Sequence, residues 1–327
     1  MAFYPMASLP ASTQQLAITA FGEANTLQIQ TSALSEPQDN QVMVAVDFSS
    51  VNPIDAKTRA GLGWAAAQNK ENLPWVPGYD IAGHVVAIGD NVTHLVVGER
   101  VSGFIGFPLQ AGAYSQYVNV EAADLSILPD NVSLQVAASL PLAGQTAWQA
   151  LEKVKVKASD RVLILAGAGG VGHIAVQLAV ALQATVFATG SADNKAFIEQ
   201  LGATAIDYRC GEIANQIEPV DILIDLMGGD VGMAALMSVR SGGRVVTIPT
   251  MTAEQVCQQA QSLGLEATGM LVSPTVEQNN TMLEMVAKGQ LNVEVAAIYP
   301  LADGDKAHQQ IESGRTRGKI LLAVSNA

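Results

Sequence analysis

Two short stretches of this sequence carry residue types at spacings that could do chemistry. The first is "SVNPIDAKTRAG" (Ser50 to Gly61), where Asp55, Lys57 and Arg59 alternate just after the hydrophobic run "VMVAVDF". A carboxylate, an ammonium and a guanidinium on one shaped segment are groups with which proteins handle protons and anions. Pro53 fixes its own φ and biases Asn52 away from helix, so the segment is expected to leave the strand as a turn with its polar groups held. The competing interpretation is a solvated loop with Lys57 in water and Asp55 as an ordinary turn former. The second stretch is "GAGGVG", between "RVLILA" and "HIAVQLAVAL", with Gly167, Gly169 and Gly172 in G-x-G-x-x-G spacing around Ala168, Gly170 and Val171. Glycine there permits a tight turn, close backbone approach to a pyrophosphate and close packing of helix on strand, and the helix N-terminus faces the anion.

The end of the next strand, "TVFATGSADNK", decides between the two dinucleotides. An NAD site normally offers a carboxylate to the ribose 2′-hydroxyl. Here Ser191 can donate to a 2′-phosphate and Lys195 can neutralise it, with Tyr208 and Arg209 of "IDYR" as further donors. Asp193 is the acid that argues the other way. The balance favours NADP(H).

The elements that must position these residues fall into two textures. From Gln14 to about Leu128 the chain has short alternating or β-branched runs, "VMVAVDF", "AGHVVAIG" and "ERVSGF", broken by Gly and Pro, which predicts a mainly β domain. From about Arg161 strands alternate with helical patterns through "RVLILAG", "TVFATG", "DILIDLMG", "GRVVTIPT" and "LEATGMLV", which predicts a parallel, doubly wound sheet. The helix after the glycines should bury Val171, Ile174, Ala175, Leu178 and Leu182. Beyond about Val276 stand a helix, "NNTMLEMVAKGQ", and a last strand, "GKILLAV". The fold class is therefore α/β.

Composition narrows the function classes. With 327 residues the chain is roughly two domains long. Its 49% hydrophobic and 14% charged content suits a compact protein. A net charge of −13 with no Lys/Arg block argues against nucleic acid and anionic membranes as partners. No apolar run approaches the roughly 20 residues needed to span a bilayer. "MAFYPMASLPASTQQ" is expected to be a loose tail, and the separated Cys210 and Cys257 fit a reducing, cytoplasmic compartment. Neither C-x-x-C nor H-E-x-x-H occurs, and His84, His94, His173 and His308 are scattered, so no metal site is expected. "GRTRGKI" has neither the spacing nor the Ser/Thr of a nucleoside triphosphate loop, and no G-x-S-x-G appears.

Taken together, "SVNPIDAKTRAG", "VPGYDIAGHVVAIGDNV", "GERVSGF", "GAYSQYV", "SLPLAGQTAWQAL", "LAGAGGVGHIAVQLA", "LGATAIDYR" and "GRTRGKILL" stand in an order that resembles the medium-chain dehydrogenase/reductase superfamily. The resemblance covers nearly the whole chain. It points to the zinc-free quinone oxidoreductase (zeta-crystallin-like) branch and, within it, the enone and alkenal reductases. It implies a GroES-like catalytic domain, residues 1–130 completed by 276–327, around a Rossmann NADP(H)-binding domain, residues 131–275. Zinc-dependent members carry Cys where this chain has Asn52 and His-Glu where it has Tyr79-Asp80, so alcohol oxidation is not expected. What the resemblance implies instead is hydride transfer from NADPH to an enone, 2-alkenal or quinone, with donors near the developing enolate oxygen.

On that pattern the resemblance gives Lys57 the enolate charge to stabilise and Asn52 an amide donor. Asp55 then orients the turn or partners Lys57, and Tyr79 either offers its hydroxyl or simply packs. Trp64 and Trp75 flank "AAAQNKEN", a stretch that could lid the pocket or belong to ordinary packing. Thr146 and the Met270 to Val272 backbone are similar to positions around the nicotinamide. The family is commonly dimeric, which makes a homodimer the expectation. A non-catalytic NADPH-binding protein is the alternative from a different class.

Overall fold

The strand that leads into the charged segment is the hub of one of two large sheets. The computed structural model describes residues 9–325. Residues 1–8 of the expected tail lie outside it, whereas Ser12–Ile18 is already a strand, paired antiparallel with Leu27–Ala33. The first large sheet runs in the spatial order Val295–Pro300, Lys319–Ala323, Gln41–Val51, Asp80–Ile88, Arg100–Phe104, Leu125–Ile127, and Tyr117–Glu121 also pairs with Gln41–Val51. All of its pairings are antiparallel except that between Val295–Pro300 and Lys319–Ala323. Val42, Val44 and Val46 are buried in one hydrophobic cluster, and Met43 between them is buried as well.

The second sheet has six parallel strands in the order Thr204–Asp207, Thr185–Gly190, Arg161–Ile164, Val220–Asp225, Val239–Thr247, Glu266–Gly269. That order, outward in one direction and then back from the first strand, is the doubly wound arrangement the alternating pattern predicts. Its switch point lies between Arg161–Ile164 and Val220–Asp225, and the glycine-rich loop leaves the former. The helix Gly172–Ala181 packs on the sheet through Ile174, Ala175 and Leu178.

Two features join the sheets. Helices Leu134–Ser139 and Pro141–Lys153 lie across the first sheet and lead into the second. The last strands return to the first sheet, and Asn279, on helix Val276–Ala287, donates its amide to Ser102 Oγ at 3.1 Å and Ser126 Oγ at 2.9 Å.

Candidate active site

Strand register builds the site. Ile320 stands opposite Val51, and Ser50 opposite Asp80, so Lys319, Asn52 and Asp80 gather at one end of three neighbouring strands. Asn52 Oδ1 accepts from Lys319 Nζ at 2.7 Å, and Asn52 Nδ2 donates to Asp80 Oδ2 at 2.8 Å. Asp80 Oδ1 accepts from the Leu142 N–H at 2.7 Å, at the start of helix Pro141–Lys153. All three side chains are buried. Asn52 therefore has its carbonyl taken and its amide committed to Asp80, which differs from the expectation of an amide turned toward substrate.

The charged segment is a helix, Pro53–Arg59, rather than a turn. Asn52 does stay extended, at φ −121° and ψ 155°, as the following proline demands. Pro53 then sits at the first helical position, where its missing N–H is no loss. Asp55, at the third, reaches back to accept the Asn52 N–H at 2.8 Å. This helical geometry separates Asp55 from Lys57, because residues two apart on a helix do not face each other. Asp55 points inward, where it also accepts from Tyr114 Oη at 3.2 Å, and Tyr114 Oη lies 3.3 Å from His308 Nε2. Lys57 is exposed and has no side-chain hydrogen bond or ion pair among the described residues. Arg59, buried, pairs with Glu312.

Burial dominates the electrostatics of this cluster. It raises the Asp55 pKa to about 7, against the hydrogen bond from Asn52. It also raises Asp80, against Lys319 and Asn52, and lowers Lys319, against Asp80 and Asp55. Tyr114 is pushed well above the ordinary phenol range by burial and the Asp55 charge, while burial lowers His308 to about 3.

Tyr79 is fully buried, with its hydroxyl donating to the Pro108 carbonyl at 3.1 Å and its ring edge-on to Phe107 at 5.2 Å. The hydroxyl is thus tied into the wall instead of being presented to substrate. "AAAQNKEN" belongs to helix Gly63–Asn69 and the 3-10 turn Lys70–Asn72. Trp64 stands edge-on to the same Phe107 at 6.1 Å, and Trp75 is buried.

The glycine-rich loop fits a pyrophosphate. A Cβ on Gly172 would lie 2.1 Å from the Ala166 carbonyl oxygen, and one on Gly167 2.5 Å from Ala188 Cβ, so only glycine allows this turn to pack on its sheet. Thr189 steadies it, taking the Ala166 N–H on its hydroxyl at 2.9 Å and the Gly167 N–H on its carbonyl at 2.8 Å. The Val171 N–H has no protein acceptor among the described residues and stands at the N-terminus of helix Gly172–Ala181, while Gly170 faces the Gly318 backbone across the Gly169–Gly318 bridge. His173 stitches the loop down: its Nε2 accepts from the Glu294 N–H at 3.2 Å, so the proton lies on Nδ1, which donates to the Gly169 carbonyl at 2.8 Å. Burial lowers its pKa to about 4 and keeps that tautomer neutral.

Where the resemblance places the adenosine ribose, Asp207 pairs in register with Gly190, which sets Ser191 and Tyr208 side by side beyond neighbouring strand ends. Lys195 opens helix Lys195–Gln200 with its side chain 66% exposed and only 3.9 Å from Glu199. The Arg209 guanidinium lies over the exposed Tyr208 ring at 5.5 Å, and Asp193 is exposed in the turn Ala192–Asn194. Thr146 is buried and donates to the Leu142 carbonyl at 2.7 Å. Met270 and Val272 are buried on either side of the exposed Leu271.

The structure thus brings Asn52 and Asp55 together and leaves Lys57 apart on the outer face. Sequence reasoning missed Lys319, Tyr114 and His308. The lysine of "GRTRGKI" was the one available signal, and its partner Asn52 is 267 residues away.

The donor set does not fit a zinc ion. Among the described residues no three His, Cys, Asp or Glu side chains converge. Asn52 and Asp80 are spent on each other, on Lys319 and on the Leu142 N–H, and a buried ammonium beside them repels a second cation.

Residues 38–130 match the alcohol dehydrogenase GroES-like domain, and residues 201–322 match the family described as zinc-binding dehydrogenase. Over 337 aligned residues the chain is 31% identical to 2-methylene-furan-3-one reductase of Solanum lycopersicum, covering 96% of this chain and 80% of that protein. Its structure is similar to that of the quinone oxidoreductase from Coxiella burnetii, with TM-score 0.93, 37% identity, and coverage of 96% of this chain and 100% of that one. It is also similar to the Escherichia coli quinone oxidoreductase complexed with NADPH, with TM-score 0.84, 28% identity, and coverage of 95% and 99%.

Proposed function

The chain belongs to the medium-chain dehydrogenase/reductase superfamily, in the branch of quinone oxidoreductases and enone reductases, and on that premise we propose that it is an NADPH-dependent, zinc-independent reductase of α,β-unsaturated carbonyls and quinones. When bound, NADPH supplies the hydride. The observation that carries the proposal is the continuity between its two halves. The glycine-rich loop, which leads into the N-terminus of helix Gly172–Ala181 and so suits phosphates, rests on Gly318, and the next residue, Lys319, bonds Asn52 directly.

The residues of the chain divide the work as follows. Gly167, Gly169, Gly170, Val171 and Gly172 hold the pyrophosphate, and Ser191, Lys195 and Tyr208 hold the 2′-phosphate. Thr146, Met270 and Val272 line the nicotinamide end. Lys57, the exposed cation of the segment, stabilises charge that develops on the carbonyl oxygen. Asn52 and Asp55 fix the start of the helix that carries it, and Tyr79 forms a wall. Residues 1–130 with 276–327 act as the catalytic unit and 131–275 as the cofactor unit, in a cytoplasmic homodimer. Among the described residues no helix is long and apolar enough to cross a membrane.

The test is NADPH consumption by purified, chelator-treated protein with a small 2-alkenal, a cyclic enone and a benzoquinone, each repeated with NADH. Loss of NADPH with the alkenal or enone, giving product saturated at C=C, supports the enone reductase. Activity confined to the quinone moves the protein to the quinone side. Silence on all three, with NADPH still bound, replaces the enzyme with a binding protein. Light scattering on the eluted protein tests the dimer.

A further inference from the structure

Lys319 is a cation held inside the molecule, 3% exposed, where the two sheets meet. An ammonium out of water is costly unless it is paired, and a packing position of this shape would be filled more cheaply by Met or Leu. Its stem runs beneath the phosphate loop, with Cδ 3.1 Å from where a Gly170 Cβ would stand. The preceding residue, Gly318, donates its N–H to the Ala168 carbonyl at 2.8 Å and bridges Gly169. Gly318 has φ +75°, and a Cβ there would lie 2.2 Å from the Glu294 carbonyl oxygen, so glycine is needed to bring the lysine this close to the loop.

We propose that Lys319 is a positioning residue for hydride transfer, holding Asn52 in fixed relation to the loop that grips the cofactor phosphates. The inference rests on the NADPH-dependent reductase activity proposed above and deepens it. From the ammonium, bonds run through Asn52 Oδ1 to the helix cap, and through Asn52 Nδ2 and Asp80 to the Leu142 N–H. One side chain thereby ties the phosphate loop to helix Pro53–Arg59, which carries Lys57, and to helix Pro141–Lys153, which carries Thr146. Without the ammonium, Asn52 Oδ1 loses its 2.7 Å donor, and the amide loses one of the bonds that hold its orientation.

The charge matters as well as the bond. Lys319 faces Asp80 on the neighbouring strand system and Asp55 on the helix, and it is felt by His173 across the loop. Tyr79 and Tyr114 border Asp55, with His308 and Arg59 behind Tyr114. Lys319 favours the ionised form of both aspartates, so removing its charge raises both further.

The decisive variant is Lys319→Met, which keeps the stem and removes the ammonium. The expected result is NADPH affinity within about threefold of wild type and kcat lower by roughly tenfold or more, the size of loss that slight misplacement of reacting groups produces. A structural readout accompanies it. In wild type the contribution of Asp55 to the pH dependence of unfolding stability levels off near pH 7; in the variant it should extend to higher pH. A folded variant with unchanged kcat and an unchanged pH curve overturns the proposal. So does a loss confined to NADPH affinity, which would make Lys319 a cofactor ligand only.

Asn52→Leu closes the cycle. If Lys319 acts through Asn52, adding Lys319→Met to Asn52→Leu should cost no more than about twofold further, and full additivity overturns it. Should Lys319→Met fail to fold, Asn52→Leu alone decides, with a similar kcat loss expected and a wild-type rate overturning the idea. If wild type reduces none of the electrophiles, the reductase activity is what fails. The pH curves of wild type and Lys319→Met, which need no turnover, then decide the placement of the ammonium.

Discussion

The phosphate loop and the Asn52 cluster are built on opposite plans. The loop is local: seven consecutive residues from Ala166 to Gly172, one strand before and one helix after, and each glycine has its reason within a few ångströms. The cluster is assembled from Asn52, Asp80 and Lys319, which meet because three strands align in register, and from Tyr114 in a loop and His308 on helix Gly304–Glu312, which reach it through Asp55. A local motif should break at single backbone positions, whereas a distributed one should yield mainly to changes of charge. The sharpest blow to the loop is Gly172→Val. Its Cβ would lie 2.1 Å from a backbone oxygen and 2.9 Å from the Gly167 Cα, neither of which can yield without opening the turn. NADPH affinity should fall by about 100-fold or more, with a lower melting temperature, as overpacking against backbone implies. Titration with NADPH and a thermal melt test this, and affinity within threefold of wild type would show that the loop is more pliable than the comparison allows.

The cluster should answer instead to pH, through Asp55. Its pKa of about 7 in the fold lies above the 3.8 of the free group, so the native state holds the proton more tightly. The sign follows from linkage: stability from this group is full below about pH 4, falls as pH rises, and is constant above about pH 7. Asp55→Asn removes the titration while keeping an acceptor for the Asn52 N–H. The stability of wild type minus that of the variant should decline by about 2 kcal/mol between pH 5 and pH 7 and then level, measured by urea unfolding at each pH. The buried His173 and His308, lowered to about 4 and 3, lose stability in the opposite direction, as pH falls below about 6.5. Both are present in each protein and cancel in the difference. A flat difference curve would mean that Asp55 is ionised throughout, held by Lys319 and Tyr114.

The same contrast explains what could be seen in the sequence. Strand, glycines and helix are neighbours in the chain, and the fold class and the glycine-rich strand-to-helix turn were legible because spacing alone carries them. The segment around Lys57 was half legible. Pro53 announced an extended Asn52, yet Pro53 also suits a first helical turn, and once the helix forms Asp55 and Lys57 turn apart. Tyr79 was visible as a candidate, but nothing local tells that its hydroxyl goes to Pro108, 29 residues on. Lys319 stood in a visible motif, but its place beside Asn52 was beyond reach, because only the pairing of Ile320 with Val51 sets it there. Lys57 is therefore the point where the local and the assembled parts are tested together. Lys57→Ala should lower enone turnover by roughly 10- to 100-fold and leave NADPH affinity unchanged, in the range of losing one donor to a developing oxyanion. Stopped-flow reduction of a cyclic enone reads it, and an unaltered rate removes Lys57 from the site.

The smallest expected effect lies at the rim of the proposed cofactor site, where the residues proposed to choose the dinucleotide are exposed. Lys195 is 66% exposed in its side chain and 3.9 Å from Glu199, too loose a pair to hold it rigidly. An exposed cation on a flexible stem is well screened and contributes little by itself. A dianionic 2′-phosphate is a stronger partner than Glu199, and on the proposed site Ser191 and Tyr208, beyond the neighbouring strand ends Gly190 and Asp207, would share the contact. Lys195→Ala should therefore weaken NADPH binding by about 5- to 10-fold and leave NADH unchanged, and the loss should shrink as salt rises from 50 to 500 mM, as screening requires. Ser191→Ala, which removes a neutral donor, should cost less and show almost no salt dependence. The pair separates charge from hydrogen bonding at this end of the site. Equal losses of NADH and NADPH would place Lys195 on the pyrophosphate or on the fold and hand the choice of cofactor to Tyr208 and Arg209.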